Sequence, residues 1–192
     1  MKLLEERIKK DGKILPGDIL KVDSFLNHQV DIRLVDELGK EFYRLFENSN
    51  PTKILTIEAS GIAISQAASR CFGFIPVVFA KKTEAANMDS DVYASKERSY
   101  TRNVVYNVKV AKEYLGPEDR VLILDDFLAR GEAMASLIDI CNQAGAKIVG
   151  CGSVISKAYQ PGEKRISDMG YKVEVLARVK SMSEDGQIEF ED

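Results

Sequence analysis

The stretch VLILDDFLARGEAM, residues 121–134, decides the expected fold. Four apolar residues lead into two adjacent carboxylates, Asp125 and Asp126, and a turn containing Gly131 precedes a helical pattern. A short apolar run followed by a turn and an amphipathic segment predicts a buried strand joined to a helix. Ligands of open parallel sheets bind beside the carboxyl ends of the strands. The two acids therefore stand where a binding site is expected.

The same strand and helix pattern recurs along the chain. Strands are predicted at residues 53–59, 75–82, 120–126, 146–156 and 171–179, and helices at 35–48, 62–73 and 132–145. Apolar strands that alternate with helices predict an α/β fold with a mostly parallel central sheet flanked by helices. A chain of 192 residues is expected to form a single domain, residues 1–192.

Composition excludes several classes of protein. Hydrophobic residues make up 45% and charged residues 30%, and no apolar run approaches the roughly 20 residues of a membrane span. The first residues lack a signal-peptide pattern, which favours a cytoplasmic location. With His28 as the single histidine, a histidine-based metal site or catalytic triad is not expected. The net charge of −3 argues against a nucleic-acid partner, and the three cysteines are expected to be buried, reduced thiols.

Two regions do not follow the α/β pattern. Residues 81–103 show no buried-face periodicity, and a polar loop of that length is typically a lid or a linker. The N-terminal residues, mainly 1–35, are expected to form a small appendage beside the sheet. A solvent-exposed surface loop remains the alternative for 81–103.

The turn after the acids indicates the class of ligand. Residues 128–133 can present backbone N–H groups at the start of a helix, which is a site for an anion. Carboxylates beside such a site would repel a simple anion, so a ligand with both phosphate and hydroxyl or metal-bound groups fits better. A phosphorylated sugar has both. The alternative is that the acids merely cap the helix.

The stretch at 121–134 resembles the phosphoribosyl pyrophosphate motif of the type I phosphoribosyltransferases. The loop usually written ATGGT reads ARGEA here: Ala129 and Gly131 match, whereas Arg130, Glu132 and Ala133 replace threonine, glycine and threonine. The resemblance implies that these five residues bind the 5′-phosphate through their backbone, and that Asp125 and Asp126 are catalytic. It also implies Mg²⁺ as the cofactor that accompanies phosphoribosyl pyrophosphate.

Further segments resemble the same family. The stretch IEASGI, with Ser60 and Gly61, is similar to its pyrophosphate loop, and residues 81–103, with Ser99 and Tyr100, resemble the flexible loop that closes over the site. The stretch ILKVDSFLNHQVD resembles the N-terminal hood of the family members that use xanthine. That resemblance implies base contacts from the four residues Leu20, Asn27, Lys157 and Tyr159, and a homodimer.

The resemblance implies the joining of xanthine to phosphoribosyl pyrophosphate in purine salvage. Two alternatives remain open at the level of sequence. One is an enzyme of the same family that uses another purine base. The other is a transcription regulator that retains the fold and the sugar-phosphate pocket, for which a DNA-binding module and a basic face would be expected.

Overall fold

The computed structural model describes residues 1–83, 91–99, 104–183 and 185–191, with side chains except at 83, 97–99 and 104–106. The helices are α1 (Lys2–Asp11), α2 (Ile32–Phe46), α3 (Gly61–Cys71), α4 (Glu132–Ala144) and α5 (Gly162–Asp168). The strands are β1 (Lys13–Leu15), β2 (Ile19–Lys21), β3 (Lys53–Ile57), β4 (Val77–Thr83), β5 (Val92–Ser99), β6 (Val104–Ala111), β7 (Arg120–Leu128), β8 (Lys147–Lys157), β9 (Val173–Met182) and β10 (Ile188–Phe190).

Eight of the described strands form one sheet in the order β10-β9-β8-β7-β3-β4-β6-β5. The five strands from β9 to β4 are parallel to one another, and antiparallel strands lie at both edges of the sheet. Strand β7 lies between β3 and β8, so the Asp125–Asp126 pair is central in the sheet. The predicted α/β architecture with a mostly parallel central sheet is confirmed.

Both faces of the sheet are covered. Alternate residues of β7 point to opposite sides: Leu122 and Leu124 pack with α1, α2 and α3, whereas Val121 and Ile123 pack with α4. This explains why the strand reads as a continuous apolar run. Within the described residues, every helix is too short or too polar to span a bilayer.

Local sequence signals set the helix boundaries. The Asp31 carboxylate accepts hydrogen bonds from the backbone N–H groups of Arg33 and Leu34 at 3.1 and 3.2 Å, and α2 begins there. Gly145, at φ 70°, ends α4 in the left-handed conformation that glycine adopts without strain. The predicted end of that helix is confirmed.

The predicted loop at 81–103 is wrong as a single element. Residues 92–99 form β5, which pairs in antiparallel register with β6, from Val92 opposite Ala111 to Ser99 opposite Val104. Residues 81–83 belong to β4. The remaining parts of the predicted loop, 84–90 and 100–103, lie outside the described residues. The hairpin packs on α4, where the Gln143 amide donates to the Ala94 carbonyl at 2.9 Å.

The N-terminal residues form the expected appendage. Strands β1 and β2 pair as a short antiparallel hairpin, and a π-helical turn, Asp23–Asn27, follows them. Phe25 and Leu26 of that turn are buried in the same core as α1 and α2. We call β1, β2 and the π-helical turn the hood. Cys141 and Cys151 are buried free thiols as predicted, whereas Cys71 is only partly buried.

Candidate active site

A cleft of ≈ 310 Å³ opens beside the carboxyl ends of β3, β4 and β7. The cleft is lined by Ile57, Glu58, Ala59, Ser60, Lys82, Asp125, Asp126, Phe127 and Ala133. Four of these residues, Ser60, Asp125, Asp126 and Ala133, are predicted from the sequence. The structure thus brings the turn after β3 and the acids of β7 to one place, because parallel strands end at the same edge of the sheet.

The two acids differ in environment. Asp125 is 4% exposed, and its Oδ1 accepts the backbone N–H of Asp126 at 2.9 Å. The Asp126 carboxylate is only partly buried and accepts the N–H of Phe127 at 2.9 Å. Burial, and then the adjacent Asp126 carboxylate, raises the pKa of Asp125 well above its ordinary value, while the Lys82 ammonium acts in the opposite direction. A carboxylate whose burial disfavours its charged form is typical of a functional site.

The turn after β3 is tightly fitted. Gly61 starts α3, and a Cβ at this position would lie 2.0 Å from the Oγ1 atom of the buried Thr56. The Glu58 side chain crosses to β4 and accepts the backbone N–H of Lys82 at 2.6 Å. This contact joins the Ser60–Gly61 turn to the end of the neighbouring strand.

Glu58 and Lys82 are cleft residues that the sequence reading did not assign. Lys82 ends the predicted strand at 75–82, so its place at a carboxyl end was an available signal. Glu58 belongs to the stretch IEASGI, but its contact with Lys82 could not be predicted, because it depends on which strand lies next to β3.

The loop after β7 is backed by the start of α5. Gly131, at φ 78°, precedes α4, and no side chain caps the N-terminus of that helix. The N–H of Gly162 donates to the Ala129 carbonyl at 3.0 Å. The Arg165 guanidinium donates to the Arg130 carbonyl at 3.3 Å and to the Glu132 carboxylate at 2.6 Å. The first N–H groups of α4 are therefore open to an anion on the cleft side.

The predicted base-contacting residues lie at the other side of β7. Lys157 ends β8, and its ammonium donates to both the carbonyl and the carboxylate of Asp18 in the hood, the latter at 3.3 Å. Tyr159 donates its hydroxyl to Asp18 at 2.5 Å, and the Gln160 amide donates at 2.7 Å. Leu20, two residues beyond Asp18, is 7% exposed. Asp18 and Gln160 were not assigned from the sequence.

The structure does not bring Asn27 into contact with the other predicted base residues, and it does not describe the side chains of Ser99 and Tyr100. Asn27 ends the π-helical turn with an exposed side chain, and the described contacts do not join it to Lys157 or Tyr159. Ser99 ends β5, but its side chain is not described, and Tyr100 lies outside the described residues. Among described residues, no group of three or more His, Cys, Asp or Glu side chains could hold a metal ion.

Comparisons with known proteins show which family the chain resembles. The model of the phosphoribosyl transferase domain matches residues 21–183. The chain is 55% identical over 185 residues to xanthine phosphoribosyltransferase 2 of Clostridium botulinum strain Langeland, covering 96% of this chain and 97% of that protein. It is 52% identical to xanthine phosphoribosyltransferase 1 of Clostridium perfringens strain ATCC 13124, covering 99% and 100%.

Solved structures share the fold. The crystal structure of APRTase from Giardia lamblia complexed with 9-deazaadenine superposes with a TM-score of 0.77 at 21% identity, covering 93% of this chain and 98% of that one. Adenine phosphoribosyl transferase from Trypanosoma brucei gives a TM-score of 0.77 at 15% identity, covering 95% and 82%. The match over most of the chain, the fold and the cleft at the carboxyl ends of the strands lead to one conclusion: this chain belongs to the phosphoribosyltransferase family.

Proposed function

We propose that the chain transfers the phosphoribosyl group of 5-phospho-α-D-ribose 1-diphosphate to xanthine, giving xanthosine 5′-monophosphate and diphosphate in purine salvage. Membership of the family supports the reaction type. The base is supported by relatives named xanthine phosphoribosyltransferases that align over nearly the whole chain. The observation that carries the proposal is the Lys157 ammonium, which Asp18 of the hood holds at the end of β8, the strand next to β7.

Lys157 suits an oxopurine. An ammonium has three N–H donors, and the Asp18 carbonyl and carboxylate accept two of them, which leaves one for a base. The 6-oxo group of xanthine, guanine or hypoxanthine accepts such a donor, whereas the 6-amino group of adenine does not. Asn27 is proposed to donate its amide to the 2-oxo group that distinguishes xanthine, with Leu20 and Tyr159 packing against the ring.

The remaining substrate groups are assigned to the cleft and to the loop that borders it at Ala133. The backbone N–H groups of residues 129–133 are proposed to bind the 5′-phosphate. Ser60 and Gly61 are proposed to bind the diphosphate, with Lys82 contributing positive charge. Ser99 and Tyr100 are proposed to close over it, which would exclude water from the reacting carbon.

The chemical step breaks the anomeric C–O bond, and the base nitrogen forms the new bond at the same carbon. Positive charge develops on the ribose ring as the bond breaks, and negative charge develops on the departing diphosphate. Asp125 and Asp126 lie where they would accept hydrogen bonds from the ribose hydroxyls and favour the positive ring. The hood and the loop at residues 129–133 are proposed to hold the base and the ribose in line for the reaction.

Mg²⁺ fits this donor set as a cofactor that arrives with the diphosphate substrate. Among the described residues, Asp125 and Asp126 are not part of a group of three or more side chains that could hold a metal ion. Two adjacent carboxylates suit an ion that keeps several waters and takes most other ligands from its substrate. Asp125 and Asp126 would hold it through its bound water. When bound, Mg²⁺ supplies charge stabilisation to the leaving diphosphate.

The proposal includes the location, the oligomeric state and the partners of the chain. The chain is proposed to act on small molecules in the cytoplasm as a homodimer, without nucleic-acid or membrane partners. The resemblance to the family carries the oligomeric state, and light scattering of the purified protein measures it directly.

The experiment supplies each base separately. The protein is incubated with 5-phospho-α-D-ribose 1-diphosphate, Mg²⁺ and xanthine, guanine, hypoxanthine or adenine, and the nucleotide formed is measured by chromatography. We expect kcat/KM to be highest for xanthine, lower for guanine and hypoxanthine, and lower by up to about 10⁴-fold for adenine, because the third N–H of Lys157 would then lack an acceptor. Reactions with ribose 5-phosphate in place of the diphosphate substrate provide the blank.

Two outcomes would contradict the proposal in different ways. A higher kcat/KM for guanine, hypoxanthine or adenine would assign another base to the same reaction. Tight binding of 5-phospho-α-D-ribose 1-diphosphate without nucleotide formation from any base would favour a regulatory role for the pocket.

A further inference from the structure

The loop proposed to hold the 5′-phosphate carries an acidic side chain that works against phosphate binding. Glu132 is the first residue of α4, and its side chain is 27% exposed. A carboxylate in the first turn is attracted to the same uncapped N–H groups that an anion would use. It also repels a phosphate dianion placed there. The loop therefore needs a means of keeping Glu132 away from the phosphate.

Helix α5 provides that means. The Arg165 Nη1 atom lies 2.6 Å from Glu132 Oε1 and 3.3 Å from the Arg130 carbonyl oxygen. One guanidinium thus binds the carboxylate and a backbone carbonyl of the same loop. A Cβ on Gly131 would lie 3.7 Å from Arg165 Cδ, so the arginine also packs beside the residue that precedes α4.

The Glu132–Arg165 pair is poorly suited to a role in stability. The two side chains are 27% and 41% exposed, and ion pairs with that exposure contribute about 0–1 kcal/mol to folding. Its effect is local: it neutralises one negative charge and fixes the direction of two groups next to the start of α4.

We infer that Arg165 is a positioning residue for the 5′-phosphate, acting through Glu132. Arg165 draws the carboxylate towards α5, which leaves the first N–H groups of α4 to the substrate and removes a repulsive charge. The inference rests on the proposed assignment of residues 129–133 to the 5′-phosphate. It does not depend on which base the enzyme uses.

The test is a double-mutant cycle with ribose 5-phosphate as the probe, measured by calorimetry on the full chain without base or diphosphate. Arg165→Met should weaken ribose 5-phosphate binding about tenfold, since the freed carboxylate repels the phosphate and competes for its donors. Glu132→Gln should tighten binding, because it removes the negative charge. The double variant should return to within about threefold of the wild type.

Lys164→Met is the matched control. It removes one positive charge and one ion pair from the same helix, but Lys164 pairs with Asp168 at 2.7 Å. Its affinity for ribose 5-phosphate should stay within about twofold of the wild type. In turnover assays, Arg165→Met should raise KM for 5-phospho-α-D-ribose 1-diphosphate about tenfold, with less than about threefold change in kcat or in KM for the base.

Three results would overturn the inference: wild-type affinity in Arg165→Met, a double variant as weak as Arg165→Met, or a wild type that does not bind ribose 5-phosphate at millimolar concentration. The second would mean that Arg165 does not act through Glu132. Glu132→Gln keeps the test decisive if Arg165→Met fails to fold, because unchanged or weaker binding in that variant contradicts the proposed repulsion. Failure of the proposed function looks different: the cycle holds, yet no base yields nucleotide.

Discussion

At the scale of single residues, the buried carboxylate of Asp125 lowers the stability of the fold. A carboxylate that is 4% exposed, next to a second carboxylate, is unfavourable in its charged form. Its raised pKa means that the folded chain binds this proton more tightly than the unfolded chain does. Folding is therefore penalised at pH values where Asp125 is ionised. Packing does not favour an acid in this position, whereas the proposed catalytic role requires one.

The first prediction concerns Asp125→Asn in the absence of substrate and metal. The asparagine Oδ1 can still accept the N–H of Asp126, whereas the buried charge is gone, so the free energy of unfolding should rise at neutral pH. The gain should shrink as pH falls through the raised pKa of Asp125 towards the ordinary value of 3.8, since the native acid is then protonated as well. Denaturant unfolding at several pH values measures it.

Asp139→Asn is the control for this prediction. Asp139 lies exposed on α4 and accepts a hydrogen bond from Gln143 at 3.0 Å. Because that side chain is exposed, Asp139→Asn should change the free energy of unfolding at neutral pH by less than about 0.5 kcal/mol. A loss of stability in Asp125→Asn at neutral pH would show that the native carboxylate is stabilised and not penalised. Turnover should fall in the same variant, because a proposed catalytic charge is lost.

At the scale of elements, the loop at residues 129–133, which is proposed to bind the 5′-phosphate, is closely contacted by α5. A Cβ on Gly162 would lie 2.4 Å from the Ala129 carbonyl oxygen and 3.1 Å from the backbone N of Gly131. Gly162 is not among the residues with positive φ, so its conformation is open to alanine and the conflict is purely steric. The contact between α5 and the loop therefore requires glycine for space.

The second prediction follows from that contact. Gly162→Ala should push the loop off α5 and raise KM for 5-phospho-α-D-ribose 1-diphosphate by roughly tenfold, since ångström-scale misplacement of a binding group is expensive. Steady-state kinetics with both substrates varied provides the measurement. Gly116→Ala is the control, because a Cβ there meets nothing within 4 Å. Equal KM values in the two variants would contradict the steric argument.

The elements differ in how far the sequence predicted them. Strands β3, β4, β7, β8 and β9 were predicted because burial on both faces leaves apolar runs. Strand β5 was missed for a physical reason: it lies at the sheet edge, where the backbone of β6 and polar groups of α4 hold it. Gln143 donates to the Ala94 carbonyl, and Ser136 donates to the Lys96 carbonyl at 3.4 Å. Contacts to main-chain atoms leave no pattern in the side chains.

The candidate site divides in the same way. The acids and the turns were predicted from residues adjacent in sequence, such as Asp125 and Asp126. Asp18 could not be predicted, because the residues that donate hydrogen bonds to it lie 139 to 142 positions further along the chain. Arg165 and Glu132 are likewise 33 residues apart. Pairings of that separation exist only once α5 and the hood are packed on the sheet.

At the scale of the whole molecule, the sheet order arranges the site as a line. Of the residues proposed to contact the base, Lys157 ends β8 and Tyr159 follows it. Asp125 and Asp126 lie near the carboxyl end of β7, and the loop proposed to bind the 5′-phosphate follows that strand. Ser60 and Lys82 lie near the carboxyl ends of β3 and β4. Since β7 lies between β8 and β3, the proposed ribose site stands between the proposed base and diphosphate sites. The hood contacts the residues after β8 through Asp18, which accepts hydrogen bonds from Lys157 and Tyr159.

The third prediction tests this link between hood and sheet. Burial works to raise the pKa of Asp18, but the Tyr159 hydroxyl and the Lys157 ammonium outweigh it, and the pKa lies below its ordinary value. Asp18 is therefore a carboxylate at neutral pH. Its φ of 64° lies in the left-handed region, which asparagine tolerates, so Asp18→Asn changes the charge and acceptors without added backbone strain.

Asp18→Asn loses a charge and one acceptor, so Lys157, Tyr159 and Gln160 can no longer all be satisfied. Lys157 should then be oriented less firmly, and we expect KM for the base to rise about tenfold, with KM for 5-phospho-α-D-ribose 1-diphosphate within about twofold. Asp23→Asn is the matched control, because Asp23 lies in the same hood and pairs only with Lys21 among described contacts, at 3.0 Å. The loop at residues 129–133 is contacted by α5, so Asp18→Asn should leave it in place. A rise confined to the KM for the base would assign the hood to base recognition. An equal rise in both KM values would contradict this assignment and show that the hood supports the whole cleft.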